Sequence, residues 1–159
     1  MEEGKRVSKE VLTKLDATLA SALAEHGVTD YTPASVTRQC QEIVVMEQNN
    51  IPRMSAWKYW KGVGECMEAD YLLVPQLLHW EERVGSSGGV VKPASVVLDL
   101  FLISIKDGSL IRAHFDETQV ALSDNLLTID KFVDRGGKWV TAERLAADGI
   151  KEKLLELGL

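Results

Sequence analysis

The sequence predicts a single α/β domain, residues 1–159, in which a mixed sheet centred on an antiparallel hairpin is covered by helices. Three observations predict it. Two β-rich apolar runs, Val96–Ile105 and Leu110–Phe115, flank Lys106-Asp107-Gly108-Ser109. Asp-Gly between such runs is a strong hairpin signal, because the turn needs residues that tolerate positive φ. Upstream, two segments near 8–26 and 33–48 repeat apolar residues at the helical period. Finally, 159 residues with 45% hydrophobic content suit one domain with a sizeable core.

Met1–Val7 is expected to be disordered. Val7, Val11, Leu12, Leu15, Leu19, Ala22 and Leu23 follow the helical period, with Lys9, Glu10, Lys14 and Asp16 on the other face. Ser8 can cap this helix over 8–26, and Gly27 stops it. Val28–Tyr31 reads as a short strand. Thr32 and Pro33 open a second helix, since a proline in the first turn lacks only an N–H that would be unpaired anyway. Val36, Cys40, Ile43 and Val44 give it an apolar face, and Asn49-Asn50 with the pre-proline Ile51 end it. Ser55 caps a third helix over 56–67, with Trp60, Val63 and Met67 inward.

Leu72–Trp80 is a strand, but Pro75 has no N–H for a ladder and demands an edge or a bulge. Ser86-Ser87-Gly88-Gly89 is the tip of a flexible loop. The hairpin strands occupy 94–106 and 109–118. Val120–Leu127 is either a short helix or a tight connection. Ile129, Phe132 and Val133 keep helical spacing until Gly136-Gly137. Thr141 caps the last segment, where Gly149 is expected to separate helices near 142–148 and 150–157.

The chemistry is less legible. A net charge of −6 with scattered basic residues argues against nucleic acid or an anionic membrane as partner. Met1 is followed by Glu-Glu-Gly-Lys-Arg rather than an apolar leader, and no run is long enough to span a membrane. Cys40 and Cys66 are far apart without a neighbouring His, so they are either buried thiols or one disulfide, which would need an oxidising compartment. Gly62-Val63-Gly64 is a broken dinucleotide fingerprint: Met67 stands where the third glycine belongs, and no strand precedes it. No phosphate loop or ligand cluster implies a metal or organic cofactor, and His79 and His114 are too few to hold zinc. Ser95 and Ser123 lack a nucleophile-elbow context.

The hairpin register carries a chemical question. A two-residue loop, Asp107-Gly108, puts Leu98, Leu100 and Leu102 on one face with Ile111, Ala113 and Phe115. The other face gathers Asp99, Arg112, His114 and Asp116, with Asp99 and Asp116 opposed. Opposed carboxylates repel, which would raise one pKa and make a general acid. A three-residue loop, Lys106-Asp107-Gly108, instead faces Asp99 with Phe115 and dissolves the pair.

Several stretches carry a family resemblance. They are Ala69-Asp70-Tyr71-Leu72-Leu73-Val74, Pro93-Ala94-Ser95-Val96, Phe115-Asp116-Glu117-Thr118-Gln119 and Gly136-Gly137-Lys138-Trp139-Val140-Thr141-Ala142-Glu143. Through them the chain resembles uncharacterised bacterial envelope lipoproteins, related to the amino-terminal domain of TolB and to CsgG-like assembly proteins. The similarity covers roughly 60–159. It implies an α/β domain that is not an enzyme and that binds other envelope proteins or self-associates. It also implies a periplasmic or outer-membrane-associated location if a signal was removed, and a cytoplasmic one otherwise. Such domains open with a strand before the first helix, whereas only Met1–Val7 precedes it here.

Asp116, Glu117 and Gln119, near Arg135 and Trp139, have the composition of an interaction surface. The competing reading is that Asp116 and Glu117 cap the next helix. Two other functions compete: a ligand sensor with Trp57, Tyr59, Trp60 and Trp80 around a pocket, and an enzyme using the carboxylates of the hairpin.

Overall fold

In chain order the elements are α1 (Lys9–Glu25), α2 (Ala34–Glu47), α3 (Ala56–Cys66), β1 (Tyr71–Glu81), β2 (Val84–Ser86), β3 (Gly89–Lys92), β4 (Ser95–Ser104), β5 (Leu110–Thr118), α4 (Ile129–Asp134) and α5 (Ala142–Glu156). The structure, a computed structural model, describes residues 7–47, 55–120 and 129–159. Most of Met1–Val7 and of Val120–Leu127 lies outside those residues, as do Asn49-Asn50 and Ile51. The expectations of disorder, of a helix or tight connection, and of that stop signal lie there with them.

The sheet is not mixed. Its order is β1-β4-β5, and both pairings are antiparallel. A parallel neighbour needs a crossover, usually helical, between its strands. Here the only link from β1 to β4 is the small β2–β3 hairpin, which the sequence shows merely as a loop. α1–α3 precede the sheet, and α4 and α5 follow it.

Alternation along β4 divides the core. Val96, Leu98 and Leu100 are fully buried with Ala113 and Phe115, against Leu15, Leu19, Ala22 and Leu23 of α1 and Leu145, Ile150 and Leu154 of α5. On the reverse face, Leu72, Ile103 and Ile105 pack with Cys40, Val44 and Val63. Thus α1 and α5 cover one face, while α2 and α3 cover one end of the other. Ser8, Ser55 and Thr141 each accept an N–H of the first turn, from Val11, Lys58 and Arg144.

Two local expectations are corrected by packing. Val28–Tyr31 forms no strand: the Val28 N–H closes the end of α1 on Leu23 O at 2.9 Å, and its side chain packs on the main core. Gly149 does not break α5, which runs unbroken from Ala142 to Glu156. There the missing Cβ makes room for the Phe115 ring. Gly64 does the same in α3 for Ile105.

That Ile105 contact sets the hairpin loop. Ile105 donates its N–H to Asp70 O and buries its side chain against α3, and the chain turns there without pairing with β5. Ser104 faces Ser109, and Ile105–Gly108 is a four-residue loop with Gly108 at φ 71°. Neither the two- nor the three-residue loop forms. Asp99 faces His114 and Asp116 faces Val97.

Pro75 lies on the edge strand β1, two residues before a bulge between Leu77 and His79. The Asp70 O to Ile105 N bond sets the alternation of β1, so position 75 directs its missing N–H away from β4.

Candidate interaction surface

The part of the sheet that α2 and α3 leave uncovered is a small grid. Successive rows across β1, β4 and β5 read Val74–Phe101–Arg112, Gln76–Asp99–His114 and His79–Val97–Asp116. Gln76, His79, Arg112, His114 and Asp116 are exposed, and Val97 and Phe101 are half-buried. The face therefore mixes apolar patches on the central strand with polar residues on both flanks. Alternation puts them together, and in β1 the bulge after Leu77 shifts the phase by one so that His79 joins the same face.

Asp99 is the centre of this grid. Its side chain is only 3% exposed, and a buried carboxylate is tolerable only when paired. Arg112 Nη2 donates to Oδ2 at 2.8 Å, and His114 Nδ1 lies 2.6 Å from Oδ1. Burial pushes the Asp99 carboxyl up. The hydrogen bonds from Arg112 and His114, with their charges, outweigh it and hold the group below the usual aspartate range. This corrects the general-acid arrangement: Asp99 has no opposed carboxylate, and its pKa moves the other way. An aspartate holding a histidine Nδ1 can orient an imidazole for base chemistry. Among the described residues, however, no Ser, Thr or Cys side chain is hydrogen-bonded to His114. His79 lies 3.6 Å from Glu81. Among the described residues no group of three or more His, Cys, Asp or Glu side chains is placed to hold a metal ion.

The five residues that composition grouped as an interaction surface occupy two places. Asp116 is on the open grid. Glu117 points to the opposite face and is 9% exposed, and Gln119 is 3% exposed. Arg135, also buried, clamps Glu117 with two hydrogen bonds, at 2.8 and 3.3 Å, and donates Nε to Asp148 at 2.8 Å. Burial lowers the pKa of Arg135, but the bonds to Glu117 and Asp148 raise it further, so it stays cationic. Gln119 donates to Lys138 O and accepts from Val140 N, each at 2.8 Å. Trp139 is half-buried, packs edge-to-face on Phe132 and donates its backbone N–H to Ser87 O at 2.9 Å. Arg83 donates to Trp139 O. Glu117, Gln119 and Arg135 thus form a latch that ties the segment before α5 to β5, and the Trp139 backbone ties the same segment to the β2–β3 tip. Among the described residues Glu117 caps no helix; its partners are Arg135 and, at 3.5 Å, Lys131.

The four candidate pocket aromatics do not converge. Tyr59 and Trp60, edge-to-face at 5.0 Å, pack on the α2–α3 side, and Trp80 packs on the α1–α5 side. Trp57 lies over Gly108. A cleft of about 380 Å³ instead lies between α1 and α5, lined by small and charged residues including Ala17, Ser21, Ala147 and Arg144.

Cys40 and Cys66 are bonded to each other and join α2 to the end of α3. They are not a pair of buried thiols: Cys40 is buried but Cys66 is exposed. Among the described residues no helix is long and apolar enough to cross a membrane. No family model, curated protein or solved structure matches this chain.

Proposed function

We propose that this chain is a non-catalytic, envelope-associated module that binds another envelope protein or assembles, placed in the periplasm or on the outer membrane. The open grid carries the reading. It offers half-buried Val97 and Phe101 in the middle, with Arg112, His114 and Asp116 beside them, which is the composition of a recognition surface rather than of a reaction centre. Every buried side-chain polar atom among the described residues has a partner, so no unpaired buried group points to a substrate. The Cys40–Cys66 bond supports an oxidising compartment. The motif resemblance to TolB and CsgG-like domains supports the envelope.

Site-specific photocrosslinking in cells tests it. A photoreactive side chain at Gln76 or Val97 should capture a distinct envelope protein, whereas one at exposed Thr13 of α1 should not. Equal labelling at all three positions, in protein recovered from the cytosol with two free thiols, would sink the proposal.

A further inference from the structure

The two edges of the sheet differ. On β1, Pro75 and the bulge at Leu77 spoil the outer edge as a template for another strand. β5 has nine residues, no proline and an unbroken register with β4. Among the described residues, no second strand pairs with it. Leu110 and Ile111, at its start, are each more than half exposed.

The hydrogen bonds at the ends of the β4–β5 ladder fix what the free edge offers. Ser104 N bonds Ser109 O, and Gln119 N bonds Ala94 O. Antiparallel alternation then directs the backbone groups of Ile111, Ala113, Phe115 and Glu117 to β4. Those of Leu110, Arg112, His114, Asp116 and Thr118 point outward.

We infer that β5 is a homodimer interface, in which a second copy adds its own β5 antiparallel about a two-fold axis at His114. Charge selects this partner and this register. Arg112 and Asp116 stand two residues either side of His114, so the axis faces Arg112 with the partner's Asp116, and Asp116 with the partner's Arg112. Both opposed pairs belong to the outward-bonding set, so the backbone ladder and the charges agree. Sliding the second copy by two residues faces Arg112 with the partner's His114 or the partner's Thr118, and both opposite-charge pairs are lost. Arg112 can serve both neighbours: among the described residues only its Nη2 is engaged, by Asp99 and His114. The result is a six-stranded sheet in which the two open grids become one continuous face. The inference needs no partner other than this chain, so it stands apart from the envelope reading.

Sedimentation equilibrium of the full chain tests it, from about 1 µM to 1 mM, with amide hydrogen exchange at both ends of that range. The expected result is a reversible monomer–dimer equilibrium. Outward amides of Arg112, His114 and Asp116 should gain protection on dimerisation, while those of Ala113 and Phe115 are protected throughout. Asp116→Lys faces like charges twice and should weaken the dimer about tenfold or more. Asp116→Pro removes an outward N–H and should abolish it, with helix content unchanged in both variants and melting unchanged at about 1 µM, where wild type is also monomeric. A chain that stays monomeric at 1 mM overturns the inference and leaves the crosslinking result standing. So does a dimer that both variants leave intact, with Arg112 and His114 amides exchanging as in the monomer.

Discussion

The ring of Phe115 occupies the space that a side chain at Gly149 would need: a Cβ there would lie 2.6 Å from its carbons. Helix α5 and strand β5 therefore approach more closely than any other residue at 149 would allow.

Gly149→Ala consequently has opposite local and tertiary effects. Alanine favours a helix interior by about 0.5–1 kcal/mol. The clash with a buried ring costs about 1–3 kcal/mol. Urea denaturation should show a net loss of stability. A more stable variant would mean that the ring moves aside freely.

Asp99 should govern part of the acid limb. Its folded pKa is depressed, so its contribution is present above the unfolded value of about 3.9 and is lost as pH falls through the lower folded value. Melting temperature followed from pH 2 to 7 should show Asp99→Asn less stable than wild type at neutral pH. The two curves should converge in acid. A constant offset at every pH would show that only hydrogen-bond geometry was changed.

The latch should be intolerant of substitution. Arg135→Met leaves the Glu117 carboxylate buried without its main cation, at a cost of about 3–5 kcal/mol. Arg135→Lys keeps the charge but not the fork that spans Glu117 and Asp148, and should recover only part of the loss. Adding Glu117→Gln to Arg135→Met should restore stability relative to Arg135→Met alone. Simple additivity of the two in guanidinium unfolding would show that they are not coupled.

Reducing the Cys40–Cys66 bond reopens a separation of 26 residues. In the chain-entropy account that costs about 3 kcal/mol. A Cys40→Ala/Cys66→Ala variant should show that loss in denaturant midpoints, and wild type with reductant should match it. Exposure of Cys66 predicts ready reduction.

The legible part of this protein was local or periodic. Caps at Ser8, Ser55 and Thr141, the apolar stripe of α1 and the edge role of Pro75 all follow from a few neighbouring residues. The two faces of the hairpin were legible too, although its loop is longer than either one considered. The observed register differs from the two-residue loop by two positions along β5, and strand side chains repeat every two. Leu98 therefore still shares a face with Phe115, and Asp99 still shares one with Arg112, His114 and Asp116.

What tertiary structure alone decided was which residue meets which. Ile105 sits in the space that Gly64 leaves in α3 and the chain turns there, and in that register His114 rather than Asp116 stands opposite Asp99. Gly149 stayed in a helix because Phe115 filled the space beside it. Glu117 and Gln119 became a buried latch because Arg135 and the Lys138–Val140 backbone came to them from beyond α4. The sequence by itself determined α1–α3, the long strands and the faces of the hairpin, since propensity, capping and period act over a few residues; it did not show β2 and β3 or the unbroken α5. Pairings between distant residues depend on close packing of whole elements, and no local pattern records them.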